Sequence, residues 1–291
     1  MSENALIGLT LVGWVVLEFG FAVISIMRDV VSDPSTRIVE LARWFDTDPG
    51  RYVHGWEQLQ FDAMVTDVFG YHALQVGFPQ MDLLVANRIP FKAYAGIALP
   101  DHGVTRSWSG CVMAQPEALP FDTSSVDLLV MPHGLECTDD PHQVLREVHR
   151  VLVPEGRVVF SGFNPWSLWG FRHHLPWIKP WLPQPAQSQV SVARLKDWFK
   201  LLSFDIDRGR FGCYVPPCRT EKWIQRHAFM EKAGDRWWPV CGAVYVVSAV
   251  KKVAGMRLIT PAWKRKMRRR GARAAAGVAT QSTSASNTPA D

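Results

Sequence analysis

No C-x-x-C pair occurs anywhere in the 291 residues, and the five cysteines (Cys111, Cys137, Cys213, Cys218, Cys241) show no metal-ligand spacing. That removes the zinc ribbons and the disulfide-stapled secreted folds, and an odd, scattered set of thiols points to a reducing compartment. His173-His174 lacks a third ligand, so no metal is expected and the pair reads as surface. No internal repeat is visible. Charged residues make up 20% and apolar residues 47%, an ordinary globular balance. The net +5 misleads, because Lys264, Arg265, Lys266, Arg268, Arg269, Arg270 and Arg273 alone supply seven positive charges; without them the rest of the chain stands at −2. The body is therefore near neutral, and its basic character belongs to a tail.

What is present divides into three parts. Residues 5–27 are apolar all round, with Glu18 the only charge. As a helix they would run roughly 34 Å, enough to cross a bilayer. Met1 to Asn4 lacks the basic flank of a secretory signal, and Arg28 on the far side favours a cytoplasmic body. Residues 1–33 thus read as an anchor in the inner membrane, a partner-covered helix or an upstream extension. Residues 34–262 have the apolar balance of one α/β domain. Residues 263–291 form a basic run followed by small polar residues, expected to be disordered. Its stretch 264–273 would bind nucleic acid or anionic lipid in a salt-dependent way.

Inside the domain, residues 117–165 are the clearest. Val126–Met131 is a buried strand that Pro132 stops. Asp139, Asp140 and Pro141 open a helix in which Val144, Leu145, Val148, Val151 and Leu152 recur on one face. Pro154 and Gly156 end it, and Arg157–Phe160 is a second buried strand. Strand, crossover helix and strand make a parallel unit. Elsewhere the pattern predicts helices over His54–Phe69, Gln80–Ile89, residues 191–202 and residues 220–231. Strands are predicted over His72–Phe78, Phe91–Leu99, Thr105–Met113, Phe204–Phe211 and Cys241–Val250. Residues 33–53 mix a short helical pattern with turns. The Trp- and Pro-rich segment 165–187 reads as a long irregular loop with room for one helical turn, a lid or recognition element.

The 117–165 stretch, with Leu119-Pro120-Phe121, resembles the second half of class I S-adenosylmethionine-dependent methyltransferase domains of the type 11 subgroup. The resemblance implies a Rossmann-like seven-stranded methyltransferase sheet, mostly parallel with an antiparallel last strand and helices on both faces. It implies S-adenosylmethionine as cofactor, methyl transfer to an unspecified small or macromolecular acceptor, and a cofactor cleft lined by Gly77, Gln115, Pro116 and His133. His133 would contact the cofactor or act as a base, with Glu136 solvated nearby. The first half departs from the family. One glycine, Gly77, stands where the family has two or three, and Phe78-Pro79 follow it. Gln75 replaces the acid of the first strand, the second strand ends without an acid before Asp101, and Gln115 takes an acidic position. Two rivals follow: a non-catalytic protein of the same fold with Phe78 filling the cleft, and a membrane-tethered regulator working through the basic tail.

Overall fold

The computed structural model describes residues 34–100, 107–175, 177, 181–183, 185 and 188–252. The apolar run 5–27, Asp101, and the basic and polar tail 263–291 lie outside the described residues. Those described belong to a single compact unit, residues 1–253. Helix α1 (Pro34–Phe45) and helix α2 (Asp48–Val65) come first, followed by β1 (His72–Val76), β2 (Phe91–Gly96), β3 (Gly110–Met113) and β4 (Val126–Pro132). Helix α3 (Pro141–Val151) leads directly into β5 (Leu152–Phe163). Then follow α4 (Leu168–His174), α5 (Val192–Leu201), β6 (Phe204–Gly212), α6 (Glu221–Arg226), α7 (Phe229–Trp237) and β7 (Val244–Lys251).

The seven strands lie in the order β3-β2-β1-β4-β5-β7-β6. β1 pairs parallel with both β2 and β4, β4 parallel with β5, and β7 antiparallel with β5 and β6. This is the Rossmann-like, mostly parallel sheet that the resemblance implies, with β7 inserted antiparallel beside β5. Two apolar clusters, one on each side of the sheet, hold it. One gathers α1, α2 and Val130, Val159 and Val246; the other gathers α3, α5 and Leu129, Val158 and Val247. Alternating strand residues feed opposite faces, as a sheet covered on both sides requires.

Local chemistry sets the helix ends. Thr47 accepts from the Gly50 N–H at the start of α2, and Asp140 accepts from the Gln143 N–H at the start of α3. Both helices carry proline in the first turn, where no N–H is needed. The predicted helix over 191–202 is α5, capped by Ser191.

Several expectations need correction. Residues 33–53 hold more helix than expected: α1, a two-residue turn at Asp46-Thr47, and the start of α2, which begins before His54. The 220–231 helix is two short helices, α6 and α7. Helix α3 stops at Val151, ahead of Pro154. The predicted helix Gln80–Ile89 does not form; the connection from β1 to β2 is a series of turns. Side chains from within and outside the segment take the backbone groups a helix would have used. Gln75 donates to the carbonyls of Phe78 (3.2 Å) and Met81 (2.6 Å) and accepts from the Leu83 N–H (3.0 Å). Lys92 donates to the carbonyls of Leu84 and Asn87. Asp82 accepts from the Leu84 N–H and from Ser107. With donors and acceptors already matched, helical spacing alone does not decide the segment.

Candidate functional site

In open α/β sheets the ligand crevice lies at the carboxyl ends of the strands where the strand order reverses. Here that point is between β1 and β4. The residues around it are Val76, Gly77 and Phe78 after β1, Ile97 after β2, Pro116 and Glu117 after β3, and Pro132 and Gly134 after β4. Ile38 of α1 roofs the crevice, and Cys137 and Thr138 close its side. Gly77 sits at φ +77, where a side chain is strained, although open space surrounds its missing Cβ.

Three contacts keep this crevice shut. Phe78 is 2% exposed; its ring packs edge-on against Phe45 of α1 and tilted against His133. Its backbone lies in the left-handed region at φ 54, a conformation a bulky residue adopts only when its surroundings hold it there. Glu117 accepts a hydrogen bond from the Thr138 hydroxyl across the mouth. Arg37 of α1 pairs with Asp139 at 2.8 Å, tying the roof to the loop after β4. The free volume left is about 20 Å³, room for about one water molecule and far below the roughly 300 Å³ and more of a small-molecule site.

The Gln75 amide is part of the closure. It holds the 77–83 segment inward, in a role that an acid could not play because a carboxylate has no N–H. Gln75→Glu is therefore expected to lose two hydrogen bonds and set a charge against the Phe78 and Met81 carbonyls, costing about 2–3 kcal/mol. Chemical denaturation would measure it; a loss under about 0.5 kcal/mol would show that the Gln75 amide does not hold this turn.

Beneath the crevice is a buried ionic cluster. His133 follows β4 at φ 49 and is 0% exposed. Its Nδ1 meets Glu136 Oε2 at 2.9 Å, and its Nε2 meets Glu57 Oε1 of α2 at 3.0 Å. The second contact is an ion pair without hydrogen-bond alignment, and neither Glu57 oxygen accepts an aligned hydrogen bond among the described residues. Glu136 Oε1 accepts from the Phe163 N–H at 2.6 Å. The approach is close: a Cβ at Gly162 would strike the Tyr245 hydroxyl and Glu136 Oε1. Burial pulls the His133 pKa down, but the Glu57 charge, the Glu136 hydrogen bond and the Glu57 contact together raise it to about 10. Burial raises the Glu136 carboxyl, with the His133 bond opposing. The contacts and the raised His133 pKa describe an imidazolium clamped between two acids.

Of the four residues expected to line a cofactor cleft, the structure brings Gly77 and Pro116 to the crevice. Gln115 is exposed, its backbone engaged in a short turn with Ala118. His133 lies under the crevice with Phe45, Phe78 and Phe163 around it, so in this conformation it contacts no ligand space. Glu136 is buried rather than solvated. His173 is buried too, accepting from the Leu182 N–H, while His174 is exposed. No metal-holding cluster occurs among the described residues. Glu57 was missed, yet its signal was present: Val53, Glu57, Phe61 and Val65 fall on one helical stripe, and an acid on an apolar stripe is buried with a partner or not at all.

Residues 91–160 match the family described as methyltransferase domain. Among curated proteins, the uncharacterized protein YafS of Escherichia coli is 32% identical over 166 residues, covering 56% of this chain and 65% of YafS. The ubiquinone/menaquinone biosynthesis C-methyltransferase UbiE of Hahella chejuensis is 43% identical over 53 residues, 18% of this chain and 21% of UbiE. The chain thus spans just under two thirds of YafS and about a fifth of UbiE. Among solved structures, a chain from the complex between the Haloferax volcanii Trm112 methyltransferase activator and a methyltransferase aligns at a TM-score of 0.53 and 16% identity. The alignment covers 76% of this chain and 100% of that one, a likeness of fold.

Proposed function

From the premise that the domain is a class I methyltransferase domain of the type 11 group, we propose that this chain is an S-adenosylmethionine-dependent methyltransferase whose cofactor crevice must open before it can be filled. S-adenosylmethionine is the cofactor of that family. The crevice as described does not hold it: about 20 Å³ is free, Ile97 stands where the family's ribose-gripping acid would be, and Phe78 occupies the space beside Gly77. The observation that carries the reading is the placement of Gly77. It has a positive φ and unfilled space at the carboxyl end of β1, next to the strand-order reversal. Opening requires α1 to lift with Ile38 and Phe45 against the Arg37–Asp139 pair, the contacts of Phe45 with Phe78 and His133, and those of Trp44 with Phe163 and Trp169. The acceptor is a small or macromolecular nucleophile reached at the same edge of the sheet. The apolar run 5–27 and the basic run 264–273 would hold the cytoplasmic body at the inner membrane, with nucleic acid the other polyanion the basic run could bind.

The second reading, a binding or assembly protein that keeps the shape without the cofactor, is favoured by the small crevice volume alone. Calorimetry on the full chain with S-adenosylmethionine and with its demethylated product separates the two. Binding is expected on the order of 10–100 μM, weakened by the work of opening. An absence of heat, and of any rise in melting temperature, at millimolar ligand would leave the non-catalytic reading standing.

A further inference from the structure

We infer that the cavity enclosed by α2, β6 and α7 binds a small zwitterion, a molecule with an ammonium and a carboxylate on one compact body, independent of whether the domain transfers methyl groups. The cavity measures about 730 Å³, inside the range of small-molecule sites. It shares no lining residue with the crevice at β1.

Three elements build its walls. On α2, Trp56, Gln60 and Met64 recur four apart and so share one face. On β6, the outermost strand, pairing with β7 is regular from Arg208 to Gly212, so Arg208, Arg210 and Gly212 point to the same side. That side is the one α2 covers, because Gly212 meets the Trp56 indole and Arg208 reaches Asp67 just past α2. On α7, Glu231 and Asp235 line the cavity one turn apart. Two glycines seat the aromatic rings. A Cβ at Gly212 would strike the Trp56 indole, and one at Gly234 would strike the Tyr214 ring. Both rings are therefore held in fixed places at the cavity.

The charges select the ligand. Arg208 is engaged by Asp67 and Asp207, and Glu231 accepts the Tyr214 N–H at 2.9 Å. Arg210, Gln60 and Asp235 are different: among the described residues none of them has a hydrogen bond or an ion pair. Asp235 is nonetheless close enough for its charge to add to the burial that pushes the Tyr214 hydroxyl up to about 12 and raises the Glu231 carboxyl. Two acids one turn apart on a helix repel each other, a cost that a cation between them would reverse. An ammonium placed there also meets aromatic rings, whose faces attract cations. Arg210 on the strand wall offers a forked donor to a carboxylate, and the Gln60 amide offers another. One cation and one acid without protein partners at the same cavity call for a ligand of both signs. A simple anion or a simple cation would meet one of them and be repelled by the other.

The test follows the melting temperature of the full chain with L-phenylalanine, L-tryptophan, glycyl-L-phenylalanine or 6-aminohexanoate, a set in which the two charges stand progressively farther apart. At about 10 mM, at least one is expected to raise it by about 3 °C, and calorimetry then gives its affinity. Arg210→Gln and Asp235→Asn, both exposed and both without internal bonds to lose, should each weaken that ligand about tenfold at unchanged circular dichroism. The N-acetyl and methyl ester forms of the ligand, each lacking one charge, should bind the parent as weakly as the ligand binds the variants. No rise with any member of the set overturns the inference. So does parental affinity in both variants, the result expected if the zwitterion enters the β1 crevice, where the amino-acid end of S-adenosylmethionine would go. Loss in one variant alone overturns it as well, because the site would then read a single charge. S-adenosylmethionine binding should be unchanged in both variants, so failure here leaves the proposed function where it stands.

Discussion

His133→Ala is expected to destabilise the domain by about 3–5 kcal/mol in urea denaturation, a large share of the 5–15 kcal/mol that holds a typical domain together. The side chain is fully buried between two acids, so its removal does more than leave a void. It strands Glu57 and Glu136 facing each other without the cation that offsets their loss of water. His133→Gln, which keeps some volume and an amide donor, should lose less. The sign of the pH dependence follows from the shifts. The folded-state pKa of His133 is about 10, above its ordinary value near 6.5. The stabilisation is therefore complete below about pH 6.5 and is lost as pH rises toward 10. Glu136, also raised, acts in the same direction from its ordinary carboxyl range upward. The parent's melting temperature should fall across pH 6.5–10, and the fall should flatten in His133→Gln. A drop below about 1 kcal/mol for His133→Ala would mean that the ion pairs contribute little.

The two halves of the domain were unequally legible, for physical reasons. From β4 through α3, periodicity, caps and proline agree, so that strand and helix could be read closely, whereas β5 starts at Leu152 and carries Pro154 and Gly156, residues that read as helix enders. From β1 to β2 they disagree with what forms. Gln80–Ile89 has helical spacing, but the structure there is decided by Gln75, Asp82 and Lys92, whose partners lie several to twenty-five residues away. A helical period does not register those side-chain bonds, and the one between Asp82 and Ser107 reaches outside the segment altogether. The candidate site shows the same division. Gly77 and Pro116 were placed by the order of strands, which the sequence carries well. The depth of His133 depends on Glu57, whose helix packs over the sheet from seventy-odd residues earlier, and on α1, whose short pattern was read as partly turn. That Phe78 and Pro79 add bulk beside Gly77 was visible from their identity; that Phe78 turns inward required Phe45 and His133 to be there to receive it.

Phe78→Gly acts on that inward turn and should move two quantities in opposite directions. Removing a buried phenyl ring costs about 3–5 kcal/mol in most cores. Glycine returns about 1 kcal/mol of it by relieving the left-handed backbone at φ 54, so a net loss of about 2–4 kcal/mol is expected. Phe78→Ala keeps the strain and should be the less stable of the two, which separates backbone from packing. The same change clears the space between Gly77, Ile97 and Pro132 and cuts the hold that Phe45 gives to α1. If Phe78 is what S-adenosylmethionine has to displace, a folded Phe78→Gly chain no longer needs to open against it, and the ligand should bind about tenfold or more tightly than to the parent. The measurement is calorimetry on both chains at a temperature where the variant is folded. A folded variant whose affinity does not improve would show that the ring is not the gate. One that binds no better than a parent which itself shows no binding would leave the crevice as a packed joint between α1 and the sheet, kept for its shape.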